Sequence, residues 1–210
     1  GDSARIGGSL SHVNGKLYAY GGQVKINPCD DLNCRVAVNT LEVYNISSNA
    51  WSDDVNEGQA RSDHSAVVYG DRIYYFGGQG NSGILNSLEF YDTQSQSWTT
   101  LSSCPQGRYG HTAFVYNDEM FIWGGVLDSE DGDLSTLNSM WVYDFNSNTW
   151  RPETPGGDPR AFHSVVVYGD KAYFWGGFKI AQLAGNFIFF EDEDSVVDTQ
   201  DVLNLRTRTW

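Results

Sequence analysis

Short runs of alternating apolar and polar residues recur along the chain, each bounded by glycine, asparagine or aspartate. In one stretch, the runs His64–Tyr69 and Arg72–Phe76 are rich in β-branched and aromatic residues and are joined by Gly70-Asp71. Such a pair predicts a β-hairpin with a two-residue turn. Two further runs follow, Ser87–Tyr91 and Ser97–Thr100. The stretch therefore predicts one antiparallel sheet of four strands, apolar on both faces, which must stack against neighbours.

The same pattern returns four times along the 210 residues, at a spacing of roughly 50 residues. In each copy a pair of glycines ends the second run, where glycine allows backbone conformations that a Cβ forbids. A tryptophan lies in the fourth run, where we expect it to pack blade against blade. The four sets are Gly21, Gly22 and Trp51; Gly77, Gly78 and Trp98; Gly124, Gly125 and Trp150; Gly176, Gly177 and Trp210.

A second constant feature precedes the first run of each copy. An arginine follows each of the first three tryptophans by ten residues, and a histidine follows that arginine by three. The first copy has an arginine and a glycine at these places. The residues in chain order are Arg5 and Gly8, Arg61 and His64, Arg108 and His111, Arg160 and His163.

The repeated unit resembles the kelch repeat in four features. Paired glycines follow the second strand, a tyrosine lies in the third strand and a tryptophan in the fourth, and an Arg-x-x-His segment, which we call the lead-in, precedes the first strand. The tyrosine is Tyr44, Tyr91 and Tyr143 in three copies and is replaced by Leu203 in the last. The resemblance covers the whole chain, with repeats at about 5–51, 61–98, 108–150 and 160–210. It implies an all-β, kelch-type β-propeller with four four-stranded antiparallel blades.

The number of repeats is small for this family. Propellers have about four to eight blades, and the resemblance implies six or seven. Four units could close a small ring, but we expect them to belong to a larger six- or seven-bladed ring, within a longer chain or completed by another chain.

The connections between second and third strands vary most in length. They span Gln23–Val38, Gln79–Leu85, Val126–Leu137 and Phe178–Val197. In a four-stranded meander they project from the same end as the arginine lead-ins. Long variable loops on a rigid scaffold are common binding sites. We therefore expect ligands at this loop face.

Candidate binding residues on this face fall into two groups. The first is the ring of arginines, which could grip carboxylates or phosphates through bidentate hydrogen bonds, together with two aromatic residues beside them. Alternatively, the arginines tie blades together through carbonyls or an aspartate. The second group is an apolar run in the last long loop, which could instead be a small hairpin packed on its own propeller. The candidates are Arg5, Arg61, Arg108, Arg160, Tyr109, Phe162, Phe187, Phe189 and Phe190.

The amino-acid composition narrows the classes of partner that the chain could bind. A net charge of −14 and a pI near 4.4 argue against nucleic acid and favour a basic protein segment. No apolar run is long enough to predict a membrane span. Three histidines on three separate blades do not predict a metal site, and we expect no metal and no cofactor.

Cysteine content gives little information about the compartment. Cys29 and Cys34 lie close together in the first long loop and could form a disulfide, which would leave Cys104 single. Asn45 begins an Asn-Ile-Ser glycosylation sequon in an exposed turn. With three cysteines there is no disulfide framework, so an intracellular location is slightly favoured and secretion stays open.

The long, variable loops all lie on one face, and the sequence shows no set of residues typical of a catalytic site. This combination predicts a non-catalytic protein-interaction module. Two alternatives stay open. Kelch propellers include enzymes that act on sugars, and a mutarotase-like site would need only an arginine, a carboxylate and a histidine around the axis. The chain could also be a structural subunit of a large assembly.

Overall fold

The computed structural model describes residues 4–26, 35–52, 55–128, 133–180 and 196–210. These residues are all β-strand, turn or extended connection, and none of them is helical. The predicted all-β class and its four kelch-type blades are confirmed. The chain divides into two compact units, Gly1–Ser103 and Cys104–Trp210. Each unit contains two blades. No helix in the described ranges could cross a membrane.

The first unit contains blades 1 and 2, whose strands pair antiparallel. Blade 1 has the order β1 (Ser9–Val13), β2 (Lys16–Tyr20), β5 (Thr40–Asn45) and β6 (Ala50–Trp51), with β7 (Val55–Asn56) also paired to β5. Blade 2 is built from β8 (Ser65–Tyr69), β9 (Arg72–Phe76), β12 (Leu88–Asp92) and β13 (Ser97–Thr100).

The second unit repeats this plan. Blade 3 is built from β14 (Thr112–Tyr116), β15 (Glu119–Trp123), β18 (Met140–Asp144) and β19 (Thr149–Glu153). Blade 4 is built from β20 (Ser164–Tyr168), β21 (Lys171–Trp175) and β22 (Gln200–Asn204). In place of a fourth strand, blade 4 has a single antiparallel β-bridge between Asn204 and Thr209.

Three of the long connections are themselves small hairpins. The pairs are β3 (Gln23–Lys25) with β4 (Arg35–Ala37), β10 (Gln79–Gly80) with β11 (Gly83–Ile84), and β16 (Val126–Asp128) with β17 (Leu134–Thr136). The sequence predicts these stretches only as loops, because each strand has two or three residues and shows no clear alternation. They therefore extend the scaffold toward the loop face.

The constant sequence spacings correspond to cross-strand neighbours. Tyr91 lies directly opposite Trp98, and their ring centroids are 5.4 Å apart. Tyr44 and Trp51 form the same pair in blade 1, at 5.2 Å. The seven-residue interval thus spans a tight turn and returns the tryptophan to the tyrosine. Aromatic pairs of this kind stabilise a sheet by about 0.2–1 kcal/mol.

The paired glycines have a left-handed backbone, and two of the pairs, Gly21-Gly22 and Gly124-Gly125, lie where two blades meet. All eight have φ between 64° and 96°, a region that favours glycine. The N–H of Gly22 donates to the carbonyl of Arg61 at 2.8 Å, which links blade 1 to blade 2. A Cβ on Gly21 would lie 2.5 Å from the same carbonyl oxygen. Both backbone conformation and close approach therefore require glycine here.

Each unit has a core between its two blades. In the first unit Trp98 packs on Tyr20 of blade 1, with centroids 4.8 Å apart. In the second, Trp210 packs on Trp123 of blade 3 at 5.2 Å. Trp51 contacts Tyr44 of its own blade and is 48% exposed. Trp98 and Trp210 thus join adjacent blades, since they pack against the neighbouring sheet.

Candidate functional site

Arg61 is completely buried, and its guanidinium spans the strands of blade 2. Its Nε donates to the carbonyl of Gln59, and Nη1 donates to the carbonyls of Gly77 and Ser87. Its Nη2 donates to the Ser87 hydroxyl and, at 3.0 Å, to Oε1 of Glu89. All five N–H groups are therefore satisfied inside the protein.

Blades 1 and 4 contain the same arrangement. Arg160 is buried and donates to the carbonyls of Gly176 and Thr199 and to the carboxylate of Asp201. Arg5 forms an ion pair with Glu42 at 2.6 Å. In each blade the carboxylate comes from the second or third residue of the third main strand. An arginine from the lead-in thus joins the glycine pair to the third strand of its own blade.

Blade 3 lacks the carboxylate. Trp141 stands at the position of Glu89, and the buried Arg108 donates instead to the carbonyls of Gly124 and Ser139 and to the side-chain oxygen of Gln106. Burial lowers the pKa of Arg108 to about 10. No ion pair of Arg108 occurs among the residues that the structure describes. Its positive charge is therefore held by neutral dipoles.

The hydrogen bonds of the lead-in arginines to carbonyls and carboxylates are those expected if the arginines tie the scaffold together, which is the alternative to ligand binding. Arg61, Arg108 and Arg160 expose no donor to solvent, since each side chain is completely buried. A ligand on the surface would not reach them without displacing their present partners. Their role in ligand binding stays a prediction.

Two histidines of the lead-ins bind across a blade boundary. The Nε2 of His64 lies 2.7 Å from Oγ of Ser9, and the Nε2 of His163 lies 2.7 Å from Oγ1 of Thr112. Burial, with the nearby arginine adding to the effect, lowers the pKa of each of the two histidines to about 3. Both rings are therefore neutral at pH 7.

The hydroxyl partners of the histidines were missed by the sequence analysis. They are Ser9 and Thr112, each the first residue of the first strand of its blade, and a hydroxyl residue stands at the same place in the other two repeats, Ser65 and Ser164. The recurrence of a hydroxyl residue there was the available signal. In the described ranges, no three His, Cys, Asp or Glu side chains converge as metal ligands would.

Phe162 is an aromatic residue with a left-handed backbone. It lies two residues after Arg160, has φ 54° and is 48% exposed. The same place in the other repeats holds Gly7, Asp63 and Gly110, with φ of 68°, 52° and 62°. The N–H of Phe162 donates to the carbonyl of Gly110 at 2.7 Å, which fixes this conformation. A bulky residue with positive φ is rare and costs about 1–2 kcal/mol.

Phe162 is part of an aromatic surface on the second unit, which we name the Phe162 platform: Tyr109, Phe162, Phe178 and Val196. The ring of Phe162 stacks on Phe178 with centroids 5.3 Å apart and planes inclined by 16°. Tyr109 is buried and meets Phe162 edge to face at 6.2 Å. Val196 pairs with Phe178 and is exposed. In the platform Phe162 and Val196 thus expose apolar surface beside the half-buried Phe178 and the buried Tyr109.

Of the predicted binding residues, the structure brings together Tyr109 and Phe162. Phe187, Phe189 and Phe190 lie outside the described residues, as do Cys29 and Cys34. Cys104 is buried, and burial raises the pKa of its thiol to about 11. Phe178 was not singled out from the sequence, because a lone phenylalanine after a glycine pair carries no pattern.

Comparison with known proteins agrees with the fold. Residues 2–104 and 100–210 match the family model described as the KLHDC2/KLHL20/DRC7 Kelch-repeats domain. The chain belongs to the kelch-repeat family of β-propellers.

Curated relatives are similar over different parts of the chain. Beta-scruin of Limulus polyphemus is 31% identical over 187 residues, which cover 86% of this chain and 20% of that protein. Kelch repeat and BTB domain-containing protein 8 of Danio rerio is 38% identical over 76 residues, covering 36% and 12%. Host cell factor of Drosophila melanogaster is 34% identical over 77 residues, covering 35% and 5%. The aligned segments thus span a fifth or less of these relatives.

Proposed function

We propose that this chain is a non-catalytic protein-interaction module that binds an extended segment of a partner protein on its loop face, with the Phe162 platform as anchor. The observation that carries the proposal is the conformation of Phe162. Glycine or aspartate meets the same backbone requirement in the other three repeats without the cost of a bulky side chain. Strain of this kind concentrates at functional sites.

The chemistry of the platform supports a peptide-like partner. Exposed aromatic residues on a rigid base supply contact area at low entropic cost and dominate protein interfaces. The net charge of −14 favours a segment that carries basic residues beside its apolar anchor. A small sugar substrate is less well supported, because the arginines and histidines of the described lead-ins are buried.

The last long loop bears on the same surface. It leaves the described chain after Ile180 and returns at Val196, so both of its ends adjoin the platform. Phe187, Phe189 and Phe190 are in this segment. We propose that they extend the binding surface, and that the acidic run after them contributes to the attraction of basic partners.

Selection from a random peptide library against the purified 210-residue chain tests the proposal. We expect selected peptides to combine basic residues with an aromatic or aliphatic anchor. Both Phe162→Gly and Phe162→Ala should weaken their binding about thirtyfold, as expected of an anchor worth 2 kcal/mol. Ile46→Ala is the matched control, because Ile46 is 49% exposed and lies in a turn between third and fourth strands.

The two Phe162 variants also separate function from folding. Phe162→Gly removes the strain at φ 54°, whereas Phe162→Ala keeps a Cβ in that conformation. We expect the glycine variant to be more stable than the alanine variant by about 1 kcal/mol in urea unfolding. Equal peptide binding by both variants and by the unsubstituted chain would show that the platform is not the binding site.

A further inference from the structure

The end of each blade opposite the loop face, which we call the turn end, carries the short turns between first and second and between third and fourth strands. In the second unit, charged side chains bridge blades 3 and 4 at this end. Arg208 of blade 4 donates to Oε2 of Glu119 at 2.6 Å, and its guanidinium lies 4.5 Å from the ring centroid of Phe121. Arg151 binds the other oxygen of the same carboxylate. Glu119 is thus held between two arginines.

The first unit has a different residue at each of these four positions. Gln96 and Arg208 both stand two residues before the tryptophan of their blade, and both have a left-handed backbone, with φ of 55° and 58°. They are therefore equivalent in conformation as well as in sequence. The four replacements in chain order are Lys16 for Glu119, Tyr18 for Phe121, Ser52 for Arg151 and Gln96 for Arg208.

A cleft of about 430 Å³ lies between blades 1 and 2 at the turn end. This volume is in the range of about 300–1,000 Å³ that is typical of small-molecule sites. Glutamine and serine are shorter than arginine, so the side chains that bridge blades 3 and 4 have no counterpart here. The lining includes the apolar Tyr18 and Val43 and the polar Lys16, Asn45, Ser48 and Gln96.

Lys16 brings a positive charge to the cleft. It is half-buried and has no ion pair among the residues that the structure describes. Its cross-strand neighbour is Asn45. The same two positions in blade 2 hold Arg72 and Asp92, which form an ion pair at 3.1 Å. Blade 1 thus lacks the carboxylate that blade 2 supplies to its cation, and an anion from outside would form a charge-assisted hydrogen bond with Lys16.

Asn45 adds a second donor beside Lys16. Its Oδ1 accepts hydrogen bonds from the N–H and hydroxyl of Ser47 and from the N–H of Ser48, at 3.0, 2.7 and 3.3 Å. These contacts fix the orientation of the amide and leave its Nδ2 as the group that can donate to a ligand. The described residues that line the cleft include no carboxylate. Its polar side therefore favours an anion.

We propose that this cleft binds a small organic acid, whose carboxylate pairs with Lys16 and Asn45 and whose apolar part lies against Tyr18 and Val43. The site shares no residue with the Phe162 platform and does not rest on the proposed function. The net charge of −14 opposes an anion at long range. At 0.15 M ionic strength this repulsion is screened beyond about 8 Å, so the local donors determine binding.

Titration of the 210-residue chain with sodium benzoate tests the proposal, at pH 7 in 0.15 M sodium chloride and followed by two-dimensional proton–nitrogen NMR. We expect saturable shifts of the backbone amides of Lys16, Asn45 and Ser48, with a Kd on the order of 1 mM. Benzamide has the same ring without the charge. It should bind at least about tenfold more weakly, because it cannot form the charge-assisted bond with Lys16.

Two lysine variants separate local recognition from net charge. Lys16→Gln should weaken benzoate binding about tenfold. Lys171→Gln is the matched control, because Lys171 also lies across from an asparagine, Asn204, but is exposed and is not part of the cleft. It changes the net charge by the same amount and should bind benzoate as the unsubstituted chain does.

A double variant rebuilds the arrangement of the second unit. Lys16→Glu/Gln96→Arg places a carboxylate and a guanidinium where Glu119 and Arg208 stand. We expect it to fold, with an unchanged or higher urea midpoint, because Arg208 already adopts the backbone conformation of Gln96. Benzoate binding should be lost, since the cation is removed from blade 1 and the new arginine occupies the cleft.

Three results would overturn the proposal. If the cleft amides of the unsubstituted chain showed no saturable shift, the cleft would not be a binding site. Equal affinity for benzamide and benzoate would show that the carboxylate is not recognised. Undiminished binding by Lys16→Gln would assign the anion to other residues. None of these results bears on the selection of peptides by the Phe162 platform.

Discussion

Replacement of Arg61 by methionine distinguishes a structural arginine from a ligand-binding one. The substitution keeps the length of the side chain but removes the hydrogen bonds that Arg61 donates to the Gly77 and Ser87 carbonyls and to the Glu89 carboxylate. Glu89 then loses its cationic partner and still accepts from the Gln59 N–H and the Tyr20 hydroxyl. Arg61 and Glu89 are both buried, with side-chain exposures of 0% and 8%. Breaking a buried pair from one side costs about 3–5 kcal/mol, a large share of a total stability of about 5–15 kcal/mol.

Urea unfolding at pH 7, followed by tryptophan fluorescence, measures this loss. Trp98 reports on the first unit, because it packs against Tyr20 and Tyr75 at centroid distances of 4.8 and 5.3 Å. Arg72→Met is the matched control. Arg72 forms an ion pair with Asp92 at 3.1 Å, but its side chain is 48% exposed, so we expect a change of at most about 1 kcal/mol.

A double substitution sharpens the test. Replacing Arg61 and Glu89 together by methionine removes both buried charges, so the double variant should be less destabilised than the sum of the single variants. If Arg61→Met unfolded at the same urea concentration as the unsubstituted chain but lost peptide binding, the structural interpretation would be refuted. The arginine would then be a ligand-binding residue.

Three further predictions use the same unfolding assay. Arg108→Met should cost about 2 kcal/mol less than Arg61→Met, because it leaves no buried carboxylate unpaired; equal losses would contradict this. Below a pH of about 6.5, His64 and His163 become protonated in the unfolded chain but stay neutral in the folded chain, where the pKa of each is about 3. As the pH falls, each histidine should therefore lower the free energy of unfolding by up to about 1.4 kcal/mol per pH unit. Equal urea midpoints at pH 7 and pH 5 would contradict this effect. Gly21→Ala should cost at least about 2 kcal/mol more than Gly70→Ala, because both positions have positive φ but only the first Cβ meets a backbone atom; similar losses would count against the close approach.

The blade plan was predictable from the sequence because it depends on local chemistry. Alternating apolar residues, a two-residue turn at Gly70-Asp71 and the cross-strand partners Tyr91 and Trp98 all act within one repeat. Fourfold repetition then identifies the family, since each copy presents the same pattern independently. The structure confirms these strands with ends that agree within one or two residues.

The surroundings of individual side chains could not be predicted in the same way. Arg61 and Phe162 lie in equivalent lead-ins, yet one is buried and the other is exposed. Their environments depend on residues far along the chain: Glu89 supplies the carboxylate for Arg61, and Phe178 supplies the ring on which Phe162 stacks.

The sequence alone therefore determined the strands, the repeat and the family, because periodicity and turn chemistry are properties of neighbouring residues. Tertiary packing decided which recurring polar groups are buried and which apolar ones reach solvent. Trp123 and Trp175 are the clearest case. They occupy the same strand position in blades 3 and 4, but Trp123 is buried in the core that blade 3 forms with blade 4, whereas Trp175 is 58% exposed.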